Sequence, residues 1–281
     1  MNNINREQNS DEILMLLYSS RINYNVVEKL KYTVWILCIL NIIIATFTNN
    51  SIYIMNIAVI LIAIFMTIME YCINKYTNIA SNMRRLVDYK LFKFEYDKIQ
   101  FNENYLLTKA KDKVKRNNKS YSLSKENTGT DPHRGVKDWY TGINCDLSHD
   151  EAVIKCQKQN VYWDKNLCSI VIKSIVIVFF LIIISYLIIN RENTIEDIIK
   201  SMVYLVPLIV KLIHELIIIC NYKSTSKGID ALIENIDYNQ NPINLRLLQS
   251  KIDKRRSINF IVPDILHKLN SANYHNQLSC D

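Results

Sequence analysis

The chain has 281 residues with a formal net charge of +7, and 49% of its residues are hydrophobic. Only four Gly and four Pro occur, which favours long helices over a fold with many turns. The modest positive charge lies outside the apolar runs, which argues against DNA or RNA as a partner and favours a membrane surface or an anionic ligand. The seven cysteines form no Cys-x-x-Cys pair, which excludes a disulfide framework or a zinc ribbon.

Four apolar runs follow a polar, amphipathic N-terminal segment. Residues 1–31 lack the short apolar core and the cleavage site of a signal peptide, so we predict a cytoplasmic amphipathic helix there. The runs are 32–47, 52–72, 168–189 and 201–220. Each approaches the roughly 20 helical residues that cross a bilayer. The sequence therefore predicts an all-α membrane protein with four transmembrane helices in two hairpins, at 32–72 and 168–220, with long helical cytoplasmic extensions.

The connecting segments predict the orientation of these helices. The links within the two hairpins, 48–51 and 190–200, carry no charge and mixed charge respectively, whereas the flanking segments are rich in Lys and Arg. Cytoplasmic loops of membrane proteins carry the excess of positive charge. We therefore expect a multi-pass inner-membrane protein, with both termini, the central region at 73–167 and the C-terminal helices at 221–281 in the cytoplasm.

The central region predicts long helices separated by a basic loop. Apolar residues recur at helical spacing from Ile79 onward, so the second span should continue as a helix into the cytoplasm. Residues 109–135 are basic and poor in apolar residues, and we interpret them as a mobile loop that faces solvent, lipid headgroups or an anionic nucleotide. Ser148 and Glu151 have the Ser-x-x-Glu spacing of a capping box, which should open a helix that runs unbroken into the third span.

Two groups of polar and aromatic residues before the third span are candidates for ligand sensing. Amides and carboxylates beside aromatic rings can bind a ligand, or they can anchor the helix that carries them against the segment before it. Both interpretations stay open, and composition favours the anchor. The candidates are Asp138, Trp139, Tyr140, Gln157, Asn160, Trp163 and Asp164.

The fourth apolar run carries Lys211, His214 and Glu215. A central charge costs about 2.5–3.5 kcal/mol on insertion scales, against about 0.3–0.6 kcal/mol gained per large aliphatic residue, so this polar face should turn away from lipid. Glu70 and Lys173 should lie at a depth similar to that of Glu215. The five residues either line a polar path in the membrane or form salt bridges that hold the bundle together, as Lys211–Glu215 or Lys173–Glu215. The salt-bridge interpretation is slightly favoured.

The remaining segments show no catalytic or metal-binding pattern. Pro242 is placed to begin an amphipathic helix whose apolar face starts at Leu245. Cys145, His149 and Cys156 would lack a fourth metal ligand. The chain has no glycine loop for phosphates and no nucleophile beside a base. We therefore expect a protein that is not an enzyme and has neither a metal nor a cofactor.

Several segments carry a family resemblance through their joint order along the chain. They are Ile4–Asn–Arg–Glu–Gln–Asn9, Lys137–Asp–Trp–Tyr140, Cys156–Gln–Lys–Gln–Asn160 with Trp163–Asp164, and Leu245–Arg–Leu–Leu–Gln249 with Arg256 and Pro263–Asp264. Together they resemble the SMODS-associated four-transmembrane effector family of bacterial CBASS antiphage systems.

The resemblance implies a membrane effector that works beside a nucleotide second-messenger synthase. Such an effector would sense a cyclic di- or trinucleotide, form a homo-oligomer or rearrange, and permeabilise the inner membrane, in abortive infection. Its direct surroundings would be the lipid bilayer. An ion channel or transporter component, or a membrane scaffold without nucleotide sensing, would share the charged fourth span, and these alternatives stay open.

Overall fold

A computed structural model describes residues 2–47, 52–95, 101–129, 131–192, 194–196, 202, 205–235 and 242–261. Its secondary structure within these ranges is helical apart from one isolated bridge between Thr128 and Lys137, which confirms the all-α prediction. The helices are α1 (Ile4–Glu7), α2 (Asp11–Phe47), α3 (Ile52–Leu91), α4 (Glu103–Arg116), α5 (Asn118–Glu126), α6 (His149–Ile189), α7 (Val206–Glu234) and α8 (Pro242–Ser257).

The chain divides into two compact units. Unit 1 comprises Met1–Val26, Lys75–Lys165 and Ser224–Asn259. Unit 2 comprises Val27–Asn74, Asn166–Lys223 and Phe260–Asp281. The four long helices α2, α3, α6 and α7 each contribute residues to both units, because their apolar runs belong to unit 2 and their polar extensions belong to unit 1.

The core of unit 1 is built on the helical periodicity predicted for its segments. Met83, Val87 and Leu91 recur one turn apart on α3, and each is at most 1% exposed. They pack with buried residues of α1, α2, α4 and α6 in one apolar cluster. The helix that begins at Pro242 also has its predicted apolar face, since Leu245 and Leu248 are buried. These elements hold the polar residues of unit 1 in fixed positions.

The predicted capping box at the start of α6 is confirmed. The backbone N–H of Ser148 donates to Glu151 Oε2 at 2.8 Å, and the backbone N–H of Glu151 is 3.3 Å from Ser148 Oγ. The hydroxyl and N–H of Ser148 also lower the pKa of Glu151. Because the first turn is satisfied in this way, α6 begins at His149 and continues without a break to Ile189.

The region predicted as a basic mobile loop, 109–135, is largely helical instead. It holds the second half of α4 and all of α5. A narrow apolar face is enough to dock these helices, since Leu106 and Ala110 are buried and the ring of Tyr121 packs edge-on at 5.2 Å from that of Tyr18. The lysines that dominate the composition lie on the other face, which is why the segment looked like a solvated loop.

The turn after α5 is held by backbone hydrogen bonds between its two ends. The backbone N–H groups of Gly135 and Lys137 donate to the carbonyls of Thr128 at 2.6 Å and Asn127 at 3.1 Å. The guanidinium of Arg21 donates to the carbonyl of Arg134 at 2.7 Å and to that of Gly135 at 3.0 Å. The segment is therefore tied both to itself and to α2.

Gly135→Ala is expected to open this turn. A Cβ at Gly135 would stand 1.5 Å from the carbonyl oxygen of Asn127, so the backbone must move, at a cost of about 1–3 kcal/mol. The melting temperature should fall, and trypsin should cleave beside Arg134 and Lys137 faster than in the unmodified protein. Gly129→Ala is the matched control, because nothing lies within 4 Å of a Cβ there. Equal cleavage rates for the two variants would contradict the close approach.

Two helical stretches among the described residues are long and apolar enough to cross a membrane. They lie within Ile57–Leu91 and Leu167–Ile189, whose apolar 18-residue segments have mean hydropathies of 2.2 and 3.0. The side chains of these two apolar segments face mostly outward, with Leu61 60% exposed and Ile177 59% exposed. A contiguous apolar surface of this kind is uncommon in a soluble monomer and suits a lipid environment.

Within the described residues, the other two predicted spans do not show a comparable apolar segment. Residues 32–47 form an apolar run shorter than the roughly 20 residues of a typical crossing helix and lie at the end of α2. The run at 201–220 contains Lys211 and Glu215, and part of it, like the hairpin link at 48–51, lies outside the described residues. The layout of four spans in two hairpins therefore stays a prediction.

Candidate functional sites

A buried carboxylate, Asp88 on α3, is the centre of a polar network in unit 1. It is 1% exposed and accepts four hydrogen bonds, two of them from residues of the sensing set. The donors are the hydroxyl of Tyr140 at 3.2 Å, the amides of Gln157 at 3.3 Å and Gln249 at 3.2 Å, and the guanidinium of Arg256 at 2.5 Å. A buried charge is tolerated only when it is paired and hydrogen-bonded, and Asp88 meets both conditions. We call this group the Asp88 network.

Further amides complete the network. The side chain of Asn160 donates to the hydroxyl of Tyr140 and to Gln157 Oε1, both at 3.0 Å. The amide of Gln157 also donates to Gln249 Oε1 at 2.6 Å. The side chain of Gln8 binds both backbone groups of Tyr140, accepting from its N–H at 2.8 Å and donating to its carbonyl at 3.1 Å. Asp88, Tyr140, Gln157, Asn160 and Gln249 are therefore each held by at least two other members.

The segment before Tyr140 is clamped by the end of the N-terminal motif. The amide of Asn9 donates to Asp138 Oδ1 at 2.6 Å and accepts from the backbone N–H of Asp138 at 3.0 Å. Asp138 has a φ of 48°, in the left-handed region that Asp tolerates better than most residues. The two hydrogen bonds hold it there, so the motif containing Asn9 and the motif containing Tyr140 form one structure.

The electrostatics of the network favour a fixed charge pattern. Burial, and then the negative charge of Asp88, raise the pKa of Tyr140 well above its ordinary value. Burial alone would lower the pKa of Arg256, but the charge and hydrogen bond of Asp88, together with Tyr140 and Asp253, outweigh that effect and the net shift is upward. Tyr140 is therefore neutral and Arg256 charged near neutral pH, as a permanent ion pair with Asp88 requires.

The arginines beside the network outnumber the two carboxylates, Asp88 and Asp253, that pair with them. Asp88 pairs with Arg256 and Asp253 pairs with Arg85 at 3.2 Å. Arg255 donates to the backbone carbonyl of Asn160 at 2.8 Å. Arg84 is a further cation beside the network. Its guanidinium carbon lies 4.0 Å from the centre of the Trp139 ring. Its Nε donates to Ser20 Oγ at 3.2 Å. Burial, and then the like charge of Arg256, lower the pKa of Arg84 to about 10.

Unit 2 contains a second charged group, which we call the Lys211 cluster. Lys211 on α7 forms an ion pair with Glu70 on α3 and a second one, at 2.9 Å, with Glu215 one turn along α7. Lys31 on α2 is 3.2 Å from Glu215. The side chains of Lys211 and Glu215 are only 4% and 7% exposed. The two cations and two anions neutralise one another and join three helices.

The structure assembles three of the five residues predicted for the membrane path or salt-bridge set. Glu70, Lys211 and Glu215 are together, whereas Lys173 and His214 are exposed on α6 and α7. His214 precedes Glu215 by one residue, which turns it about 100° away on a helix. The Lys173–Glu215 pair considered from the sequence is replaced by pairs of Glu215 with Lys211 and Lys31.

Lys31 is the member that sequence reasoning missed. As a basic residue at the start of an apolar run, it served only to predict orientation. The sequence does indicate its role, because the start of the run, where Lys31 lies, is at a depth similar to that of Glu70 and Glu215. A cation at that depth beside two acids is expected to pair with one of them.

Five of the seven candidate sensing residues meet in unit 1. Tyr140, Gln157 and Asn160 belong to the Asp88 network, Asp138 binds Asn9, and Trp139 stacks with Arg84. The other two, Trp163 and Asp164, lie on α6, and their side chains are outside the part that the structure describes. Asp88 and Arg84 were not predicted as site residues, because an acid and a base among the charged residues of α3 resemble a solvated face.

An all-helical protein with exposed apolar helices and a charge cluster in the same unit is of the transmembrane type. A family model described as the SMODS-associating 4TM effector domain matches residues 2–280. The chain belongs to this family and is a membrane effector associated with SMODS-type systems. No curated protein matches the chain, and no solved structure does.

Proposed function

We propose that this chain responds to a cytosolic cyclic oligonucleotide by rearranging or oligomerising, and that it then permeabilises the inner membrane. The observation that carries the proposal is the Lys211 cluster. Charged residues in membrane segments are rare and face a bundle interior or a water-filled cavity, so they indicate a functional site by default. A purely structural bundle could pack its helices with small or apolar residues instead.

The cluster suits a closed state that a signal can open. Its charges are satisfied within one chain, across α2, α3 and α7, and no net charge remains. If these helices move apart, the charges lose their partners in a medium of low dielectric constant and must be hydrated or paired across protomers. Either outcome brings water or neighbouring chains to this depth, which is the requirement for permeabilisation.

The Arg84–Trp139 stack supports the sensing step. A cyclic di- or trinucleotide presents two or three phosphates and flat bases. Arginine binds phosphate oxygens with directed hydrogen bonds and stacks on aromatic faces, and an anion would relieve the excess positive charge beside the Asp88 network. The other candidates with described side chains already bind one another or Asn9, so Arg84 and Trp139 are the groups best suited to meet a ligand.

The proposal is tested with the full chain reconstituted in liposomes filled with a fluorescent dye. Dye should be released only when a cyclic di- or trinucleotide is added. Arg84→Gln should require about tenfold or more ligand, since a hydrogen bond between charged groups is worth about 1.5–3 kcal/mol. Arg191→Gln, at an exposed position just after α6, should respond as the unmodified chain does.

The outcomes separate the two parts of the proposal. Leakage that ignores every cyclic nucleotide would contradict sensing by this chain. A normal response of Arg84→Gln would contradict the role of Arg84 alone. Selective ion flux without any ligand would favour the channel or transporter alternative.

A further inference from the structure

Unit 2 contains a groove of about 370 Å³. Its walls come from α2, α6, α7 and the residues that follow α8. Most of the lining is apolar, including Trp35 and Ile39 of α2, Val178 of α6 and Leu212 of α7. Small-molecule sites are also mostly apolar, with a few polar groups that fix the ligand's orientation, but here the charged lining residues Glu28, Lys31 and Glu215 stand together and the rest of the groove is mostly apolar. This groove therefore has the character of a channel for a hydrocarbon chain.

The charged lining groups give the groove a direction. Glu28 and Lys31 are one helical turn apart on α2, where its polar part meets the apolar run, and Ile39 lies farther along the same wall. The helix rises about 16 Å between Glu28 and Ile39 at 1.5 Å per residue. Two acids and one base therefore stand at one end of a long apolar strip: Glu28, which accepts from the hydroxyl of Tyr32 at 3.1 Å, and Lys31 with its partner Glu215. That end is where α2 would leave the hydrocarbon core of a bilayer.

We infer that the groove binds one acyl chain of a membrane phospholipid with an amine headgroup, of the phosphatidylethanolamine type. The chain lies along Trp35 and Ile39, the ammonium group meets the carboxylate of Glu28, and the phosphate lies on the side of Lys31. A zwitterionic headgroup matches this acid–base pair, whereas an anionic headgroup without an amine would face Glu28 unfavourably. The inference needs the membrane setting of the family but not nucleotide sensing, so it goes beyond the proposed function.

A lipid in this groove would also lie against the Lys211 cluster. Lys31 and Glu215 line it, and these are the two residues that join α2 to α7 in the Lys211 cluster. A bound lipid therefore touches the ion pair that holds two helices together. Lipid composition should influence how easily the cluster opens.

Native mass spectrometry tests the site on the full chain released from micelles with equal amounts of phosphatidylethanolamine and phosphatidylglycerol. The unmodified chain should retain one phosphatidylethanolamine. Ser174→Phe fills the groove and should lose it, whereas Val176→Phe, a neighbouring α6 residue outside the lining, should keep it. Glu28→Gln should still bind lipid but reduce the preference for the amine headgroup by about tenfold, the effect of losing one hydrogen bond between charged groups.

A second measurement keeps the inference testable if Ser174→Phe fails to fold. Phosphatidylethanolamine with brominated acyl chains should quench tryptophan fluorescence more than phosphatidylglycerol with the same chains, and Trp35→Phe should remove the difference. Equal retention of both lipids by the unmodified chain, or equal quenching by both, would overturn the headgroup assignment. Undiminished lipid retention by a folded Ser174→Phe would overturn the site itself. Loss of nucleotide-dependent leakage with lipid retention intact would affect only the proposed function.

Discussion

Lys211→Met should destabilise the protein by about 3–5 kcal/mol, the typical effect of removing one partner from a buried ion pair. The substitution leaves the carboxylates of Glu70 and Glu215 close together with only Lys31 to balance them. Glu70 loses its ion pair, and Glu215, whose side chain is 7% exposed and cannot reach water without moving α7, keeps Lys31 alone. The free energy of unfolding in a denaturant titration of the detergent-solubilised chain measures the effect.

Lys173→Met is the matched control. It removes a lysine of the same apolar unit, but one that is exposed, so the expected change is within about 0.5 kcal/mol. Neutralising all four members together, with Lys31→Met, Glu70→Gln, Lys211→Met and Glu215→Gln, should recover most of the lost stability, since no charge then lacks a partner. If Lys211→Met and Lys173→Met unfold alike, the cluster does not stabilise the resting state.

Asp88→Ala should lower the free energy of unfolding by a similar amount, through its effect on unit 1. The side chains of Tyr140, Gln157 and Gln249 lose an acceptor, and Arg256 becomes a buried charge without its carboxylate. Breaking a buried pair in this way costs about 3–5 kcal/mol. The melting temperature should fall clearly, and amide hydrogens around Tyr140 should exchange faster, because the network ties this segment to α3.

The double variant Asp88→Ala with Arg256→Met separates charge from packing. It removes the unpaired guanidinium and should recover part of the stability lost in Asp88→Ala. Asp112→Asn is the control, since that carboxylate is exposed on α4. A double variant no more stable than Asp88→Ala would mean that the lost hydrogen bonds, and not the unpaired charge, dominate the effect.

Sequence reasoning succeeded where a pattern is local. The Ser148–Glu151 capping box is formed by residues three apart, and the Lys211–Glu215 pair by residues four apart, so the geometry of one helix determines both. The apolar face of α3 follows from the same periodicity. The prediction of a mobile loop at 109–135 was wrong for the helical part. The apolar face of these helices consists of a few buried residues, and the many lysines around them mask its periodicity in the sequence.

Sequence reasoning did not find Asp88, although the motifs that carry the family resemblance surround it. Its donors Tyr140 and Gln157 are 52 and 69 residues away, and Gln249 and Arg256 are 161 and 168 residues away. No periodicity relates residues at such separations. In the sequence Asp88 is simply an acid on a charged helix, with nothing to distinguish it from a solvated residue.

The sequence by itself determined the helical class, the apolar runs, the family, and the presence of charges in a segment that should avoid them. These properties depend on composition and on spacing within one helix, which the chain carries in any conformation. The tertiary structure decided which charges meet. It brought Lys31 to Glu215, turned Lys173 and His214 outward, and gathered four distant motifs around one carboxylate. Burial removes water from these groups, and only the packing of separate helices determines which side chains replace it.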